Sequence, residues 1–112
     1  MKKYVAEFIG TMTLVVLGCG TAMLVGCDYI GSTGYILTAF AFGLTIIAMA
    51  YSIGNISGCH INPAVSLGVL MTGGMDVKDF VGYVISQIPV YHADAVSLVA
   101  ASEHQVGIFG SL

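Results

Sequence analysis

The sequence predicts an all-α membrane protein with two to three transmembrane helices and one re-entrant half helix. Three observations carry that prediction. The 112 residues are 57% hydrophobic and 8% charged, with a mean hydropathy of +0.95, whereas a soluble domain carries about 25% charged residues. Two uncharged runs, 8–27 and 34–53, are each 20 positions long, enough to cross a hydrocarbon core about 30 Å thick. A third apolar run, 61–71, has 11 residues and gives a helix of about 15 Å, half a crossing.

The first span is read over residues 4–27. Met1-Lys2-Lys3 precedes it and Glu7 alone interrupts its start. Gly18, Ala22 and Gly26 recur every four residues, a small-residue stripe that lets another helix approach closely. A rival reading takes Lys2 and Lys3 as a signal-peptide head and Leu24-Val25-Gly26-Cys27 as a lipoprotein cleavage box. Glu7 and the length of the apolar run oppose it, since such cores run about 7–15 residues behind a basic head. Asp28–Thr33 is a short polar turn. The second span is read over 34–54, with Ala39, Gly43, Ala50 and Gly54 as close-packing positions.

The stretch from Ser57 to Ser66 organises the rest. Pro63 suits a first helical position, where its missing N–H costs nothing, and Asn62 is then the N-cap. Residues 54–60 re-enter as a loop and 62–72 form the half helix, closed by Gly73 and Gly74. Such a loop cannot face lipid, because each unpaired backbone group there costs several kcal/mol. The third span begins at 79. Only residues 80–93 precede Asp94, and an Asp at a helix centre costs about 2.5 kcal/mol or more. Residues 1–87 therefore read as one unit and 88–112 as a divergent tail, either a frameshift or truncation product or a native short end. Lys2, Lys3 and Lys78 fall on one side, which the positive-inside rule makes cytoplasmic.

Several functions are disfavoured. With three Lys+Arg in all and a net charge of −3, there is no basic patch for nucleic acid. Cys19, Cys27 and Cys59 lie on separate elements, and His60, His92 and His104 lack the i, i+4 spacing of a helical metal site. No cofactor or metal is expected. Ser66 has no evident base, so no enzyme constellation emerges.

His60-Ile61-Asn62-Pro63-Ala64-Val65-Ser66-Leu67-Gly68 resembles the signature of the major intrinsic protein family, the aquaporins and glycerol channels. The likeness extends to Ala41-Phe42-Gly43-Leu44-Thr45 and Glu7-Phe8-Ile9-Gly10-Thr11. It covers about residues 4–87 and is greatest toward the bacterial water-channel branch. It implies the first repeat of an aquaporin-like fold in a cell membrane, passing water or a small neutral solute. In that frame Asn62, Pro63 and Ala64 form the pore motif, with Asn62 donating its amide to passing water. The carbonyls of Gly58, Cys59, His60 and Ile61 form an acceptor ladder. Phe42 narrows a constriction, where glycerol channels usually place Trp, and Glu7 accepts hydrogen bonds from the loop. Cys59 stands where Gly or Ala is usual. There is no second Asn-Pro-Ala and no Arg for the constriction, so the chain reads as a half-pore. Two oppositely inserted copies would complete it, although Lys2 and Lys3 oppose dual topology. The implied partners are the bilayer, the solute and further copies of the chain. The alternative is a small structural or regulatory membrane protein without transport.

Overall fold

The computed structural model describes residues 1–26 and 30–109, with side chains through Ala100 except at 98 and 99. Cys27, on which the lipoprotein reading rests, lies outside the described residues. The described chain is all helical: α1 (Lys2–Val25), α2 (Thr33–Ser57), α3 (Pro63–Met71) and α4 (Val77–Phe109).

Each boundary has a local cause. Gly26 ends α1 at φ 72 with its N–H on the carbonyl of Ala22. Ser32 caps α2, its hydroxyl accepting from Tyr35 N at 3.2 Å. Gly58 ends α2 in the left-handed region at φ 86, a conformation free of Cβ strain only for glycine. The second helix thus runs three residues past the expected 54, and the loop is confined to 58–62. Asn62 caps α3 with Oδ1 accepting from Ala64 N at 2.8 Å, and Pro63 takes the first helical position. At the other end Gly74 N donates to Val69 O and Gly73 N to Leu70 O, at 2.9 and 3.0 Å, with Gly73 at φ 75. That pair of bonds is the Schellman closure, which satisfies carbonyls the helix itself leaves open.

The fourth helix begins at Val77, two residues before the expected 79. It continues through Pro89 and the tail as one helix to Phe109. Pro89 removes one intrahelical bond, but its neighbours keep the helical path. α1 and α2 are long and apolar enough to cross a membrane. Their mean hydropathy is 2.0 each, and α4 does not reach that standard among the described residues.

α1 is the central element, packing on both α2 and α4, while α3 packs on α4. Close approach depends on glycines facing bulk. A Cβ on Gly18 would lie 2.5 Å from the Phe42 ring, and one on Gly10 would lie 2.6 Å from Ile53 and 2.7 Å from Ile61. The Tyr4 ring packs directly against Gly82 of α4, where there is no room for a Cβ. At that end Lys3 Nζ reaches Asp79 Oδ2 at 2.6 Å and Tyr4 OH donates to Asp79 Oδ1 at 2.9 Å, so α1 and α4 start side by side and run parallel.

Burial is inverted relative to a water-soluble domain. The largest fully buried side chains are Gln87, Glu7, Thr11 and Ser66, while Phe40 is 62% exposed and Ile85 66%. Contiguous exposed apolar surface on this scale is what a lipid environment tolerates and water does not.

Candidate pore loop

The loop 58–62 cannot hold its own shape. Gly58, Cys59 and Ile61 have φ of 86, 52 and 42. For Cys59 and Ile61 that is left-handed backbone, costing roughly 1–2 kcal/mol per residue and more for a β-branched side chain. The conformation needs outside support, and α1 and α4 supply it.

Glu7 is the centre of that support. Its side chain is fully buried, and its two oxygens accept four hydrogen bonds. Oε1 takes Ser57 Oγ at 2.6 Å and His60 N at 2.9 Å. Oε2 takes Ile61 N at 2.6 Å and Gln87 Nε2 at 2.8 Å. A carboxylate presents about four lone-pair sites, so its acceptor capacity is filled. Glu7 does not reach outward along its stem to an interface.

The second layer is aromatic and polar. Tyr83 OH donates to Ser57 O at 2.5 Å, and Tyr91 OH donates to Ile61 O at 2.8 Å. The His60 ring stands edge-on to Tyr83, centroids 5.0 Å apart, and Tyr83 stands edge-on to Tyr4 at 6.0 Å. His60 Nδ1 lies 3.1 Å from Ser66 Oγ, which also donates to Asn62 O at 3.3 Å. The sequence reading left Ser66 without a neighbouring base, and the structure brings His60 to it. Ser66 is fully buried, so this pair braces the loop against α3 and presents no nucleophile.

The ladder residues divide. Among the described residues no hydrogen bond reaches the carbonyls of Gly58, Cys59 or His60, whereas Ile61 O is taken by Tyr91. Ile61 is itself buried, 3% exposed against Gly10. Asn62 and Ala64 are exposed and Pro63 is half-buried. Asn62 spends its oxygen on the cap, which leaves its amide N–H₂ as an outward donor. Phe42 is half-buried against Gly18. Gly18 is eight residues beyond Gly10, so Phe42 lies about 12 Å along α1 from the Ile61 level.

Sequence reasoning missed five members: Ser57, Ser66, Tyr83, Gln87 and Tyr91. Ser57 and Ser66 flank the motif and were visible as its ends. Tyr83, Gln87 and Tyr91 recur every four residues along α4, and that spacing was the available signal. The same end of the molecule holds a polar vestibule of about 350 Å³ lined by Lys3, Ser57, His60, Asp76, Asp79 and Tyr83, with Gly73–Met75 beside them.

A profile of the major intrinsic protein family matches residues 1–109, past residue 87, where the likeness was expected to end. The chain is 47% identical over 88 residues to Aquaporin Z of Rhodopseudomonas palustris, a match covering 78% of this chain and 36% of that protein. It is 46% identical over 88 residues to Aquaporin Z of Brucella melitensis, with 79% of this chain and 39% of the relative covered. Against Aquaporin Z of Bradyrhizobium diazoefficiens the identity is 46% over 89 residues, covering 79% and 37%. The chain thus spans less than two-fifths of the length of these relatives. With the signature loop braced from α1 and α4 and the family profile matched along nearly all of its length, the chain belongs to the major intrinsic protein family.

Proposed function

We propose that this chain forms one half of a transmembrane channel that passes water, or a small neutral solute, passively. The observation that carries the proposal is the arrangement at the loop. Three unbonded carbonyls lead to an exposed Asn62 amide at the capped N-terminus of a half-length helix. Acceptors followed by a donor suit a solute that both donates and accepts. The helix N-terminus, worth about half a positive charge, disfavours cations at that point. Pro63 and Ala64 complete the motif, Phe42 narrows the path further along α1, and Glu7 holds the loop. No catalytic role enters this reading.

The relatives' name, Aquaporin Z, favours water. Their bacterial source favours the inner membrane, crossed more than once, and Lys2, Lys3 and Lys78 support a cytoplasmic N-terminus by the positive-inside rule. In this reading the second half of the pore comes from outside residues 1–112, whether from further sequence or from another copy.

Stopped-flow shrinkage of proteoliposomes carrying the chain tests the proposal, beside an Asn62→Asp variant. Fast water flux that is lost in the variant supports an assembled pore. Flux no higher than that of empty vesicles refutes conduction by this chain and leaves a structural membrane role.

A further inference from the structure

Away from the loop, α1 and α4 leave a groove of about 450 Å³ between them. Phe8, Met12, Val15 and Val16 line it from α1, and Pro89, Val90 and Ala93 line it from α4. One end is polar, where Asp94 and Ser97 close the lining. The volume falls within the roughly 300–1,000 Å³ of small-molecule sites, and an apolar body with a few convergent polar groups is their usual make-up.

The placement along the membrane gives the groove a direction. Asp79, paired with Lys3, marks one interface. Asp94 follows it by 15 residues, about 22 Å along the helix. In a core about 30 Å thick that is about 8 Å short of the opposite boundary. Phe8 lies at the other end of the groove, five residues from Lys3 and about 7 Å along α1. The polar end therefore faces the leaflet opposite the lysines, and the apolar trough runs from it toward and past the midplane. That is the head-to-tail order of an amphiphile entering from that leaflet.

The charge decides which amphiphile. The neighbour of the Asp94 carboxyl on α1 is the Cys19 thiol, not a cation. Ser97 Oγ is turned to the Asp94 backbone carbonyl at 2.8 Å rather than to its carboxyl. No Lys or His lines the groove among the described residues, and Lys2, Lys3 and Lys78 sit at the far end of the helices. A carboxyl at this depth is costly unless a counter-charge meets it. We propose that the groove between α1 and α4 binds a long-chain amine, its ammonium on Asp94 and its alkyl tail along Phe8, Met12 and Val16. From Asp94 back to Phe8 the trough runs about 15 Å by helical rise, of the order of a dodecyl tail.

Tritiated dodecylamine tests this with the full chain in phosphatidylcholine nanodiscs, counted against protein-free discs. The expected result is saturable binding at one site per chain. Asp94→Asn keeps the shape and a polar partner for Cys19, and it weakens binding at least tenfold. Val16→Trp fills the trough, leaves Asp94 in place, and weakens binding similarly. Circular dichroism confirms that each variant keeps its helix content. The uncharged analogue 1-dodecanol fails to displace the amine. Saturable binding that Asp94→Asn leaves unchanged overturns the proposal. So does displacement by dodecanol as effective as by unlabelled amine, because the groove then takes any alkyl chain. Absence of saturable binding overturns it directly. None of these readouts depends on water conduction.

Discussion

Glu7 is the point at which the loop is most open to attack, and the structure sets the size of the effect. Glu7→Ala removes all four acceptor contacts. Ser57 Oγ retains Ile53 O at 3.5 Å, and Gln87 Nε2 retains Ser66 Oγ at 3.4 Å, so both keep weaker partners. His60 N and Ile61 N retain none among the described bonds, because the loop is not helical there. Each orphaned buried donor costs about 1–3 kcal/mol, so the loop loses about 2–6 kcal/mol. At about 1.36 kcal/mol per tenfold, protection of these amides against hydrogen exchange falls about 30-fold to 10⁴-fold.

Glu7→Gln behaves differently because of one atom. Gln87 Oε1 is buried and has no hydrogen-bond partner. Its amide is turned with Nε2 toward Glu7, where an oxygen facing an oxygen would repel. With an amide at position 7, Gln87 can turn over and offer Oε1 to the new N–H₂. The remaining oxygen stays with Ser57 and His60, so Ile61 N is the one loop amide stranded, while Gln87 Nε2 takes the unpartnered position that Oε1 held. The cost then falls to about 1–3 kcal/mol, or about 5- to 150-fold in exchange. Amide-resolved exchange in micelles separates the cases. Loss confined to Ile61 in Glu7→Gln, and shared by His60 and Ile61 in Glu7→Ala, is the expected pattern. Equal loss at both amides in Glu7→Gln refutes the exchange of roles. Less than fivefold loss at both in Glu7→Ala refutes Glu7 as the support.

Three further outcomes follow from other contacts. Cys59 is half-buried in the loop beside unbonded carbonyls; where a pore assembles, a mercurial slows water flux, and Cys59→Ala abolishes the block. Persistent inhibition in that variant places the reactive thiol elsewhere. Gly18→Ala drives a Cβ into the Phe42 ring and costs about 1–3 kcal/mol as overpacking; Phe42→Leu in the same chain recovers most of the loss in a thermal melt. The Lys3 ammonium and then the Tyr4 hydroxyl hold the carboxyl of Asp79 below its ordinary range. A depressed carboxyl stabilises above its unfolded pKa and loses that contribution as pH falls through the folded value. Wild-type chain therefore loses melting temperature on acidification below about pH 4, the ordinary carboxyl range, more steeply than Asp79→Asn does. Identical slopes would remove the pair from the account.

The sequence made the helical elements legible because apolar run length and capping chemistry are local. Asn62-Pro63 and Gly73-Gly74 bracketed α3, which runs Pro63–Met71 inside the 62–72 read from the sequence. The second helix outran its expected end because Ser57 still has helical partners, and only Gly58 needs the left-handed region. The tail was read as divergent because Asp94 was weighed against a lipid-crossing helix. Helix continuity depends on backbone bonding, which a single Pro89 does not end. Glu7 entered as a loop support through the family likeness alone. Its fourfold acceptance depends on chain positions 50 to 80 residues away, and no local pattern encodes such separations.

The placement of polarity also argues about what the chain does alone. In a lipid setting apolar burial supplies little drive between helices, and packing with buried hydrogen bonds supplies it instead. The bonds that fix the loop come from α1 and α4, through Glu7, Tyr83, Gln87 and Tyr91, and they are satisfied within the chain except at Gln87 Oε1. The supporting shell is thus complete in these residues. The working face is the opposite case: Asn62, Ala64, Val65, Leu67 and Gly68 are exposed. The span on α2 is only 6% buried, against 28% on α1. A loop held in left-handed backbone at a cost of about 1–2 kcal/mol per residue, with its donor turned outward, is pre-organised for something that meets that face. Stability of the loop and flux through it should therefore separate. Variants of Glu7 or Tyr83 lower both, whereas Asn62→Asp leaves the exchange protection of His60 and Ile61 intact and removes flux alone. Loss of that protection in Asn62→Asp would mean that support and working face are one structure, and the division drawn from burial would fail.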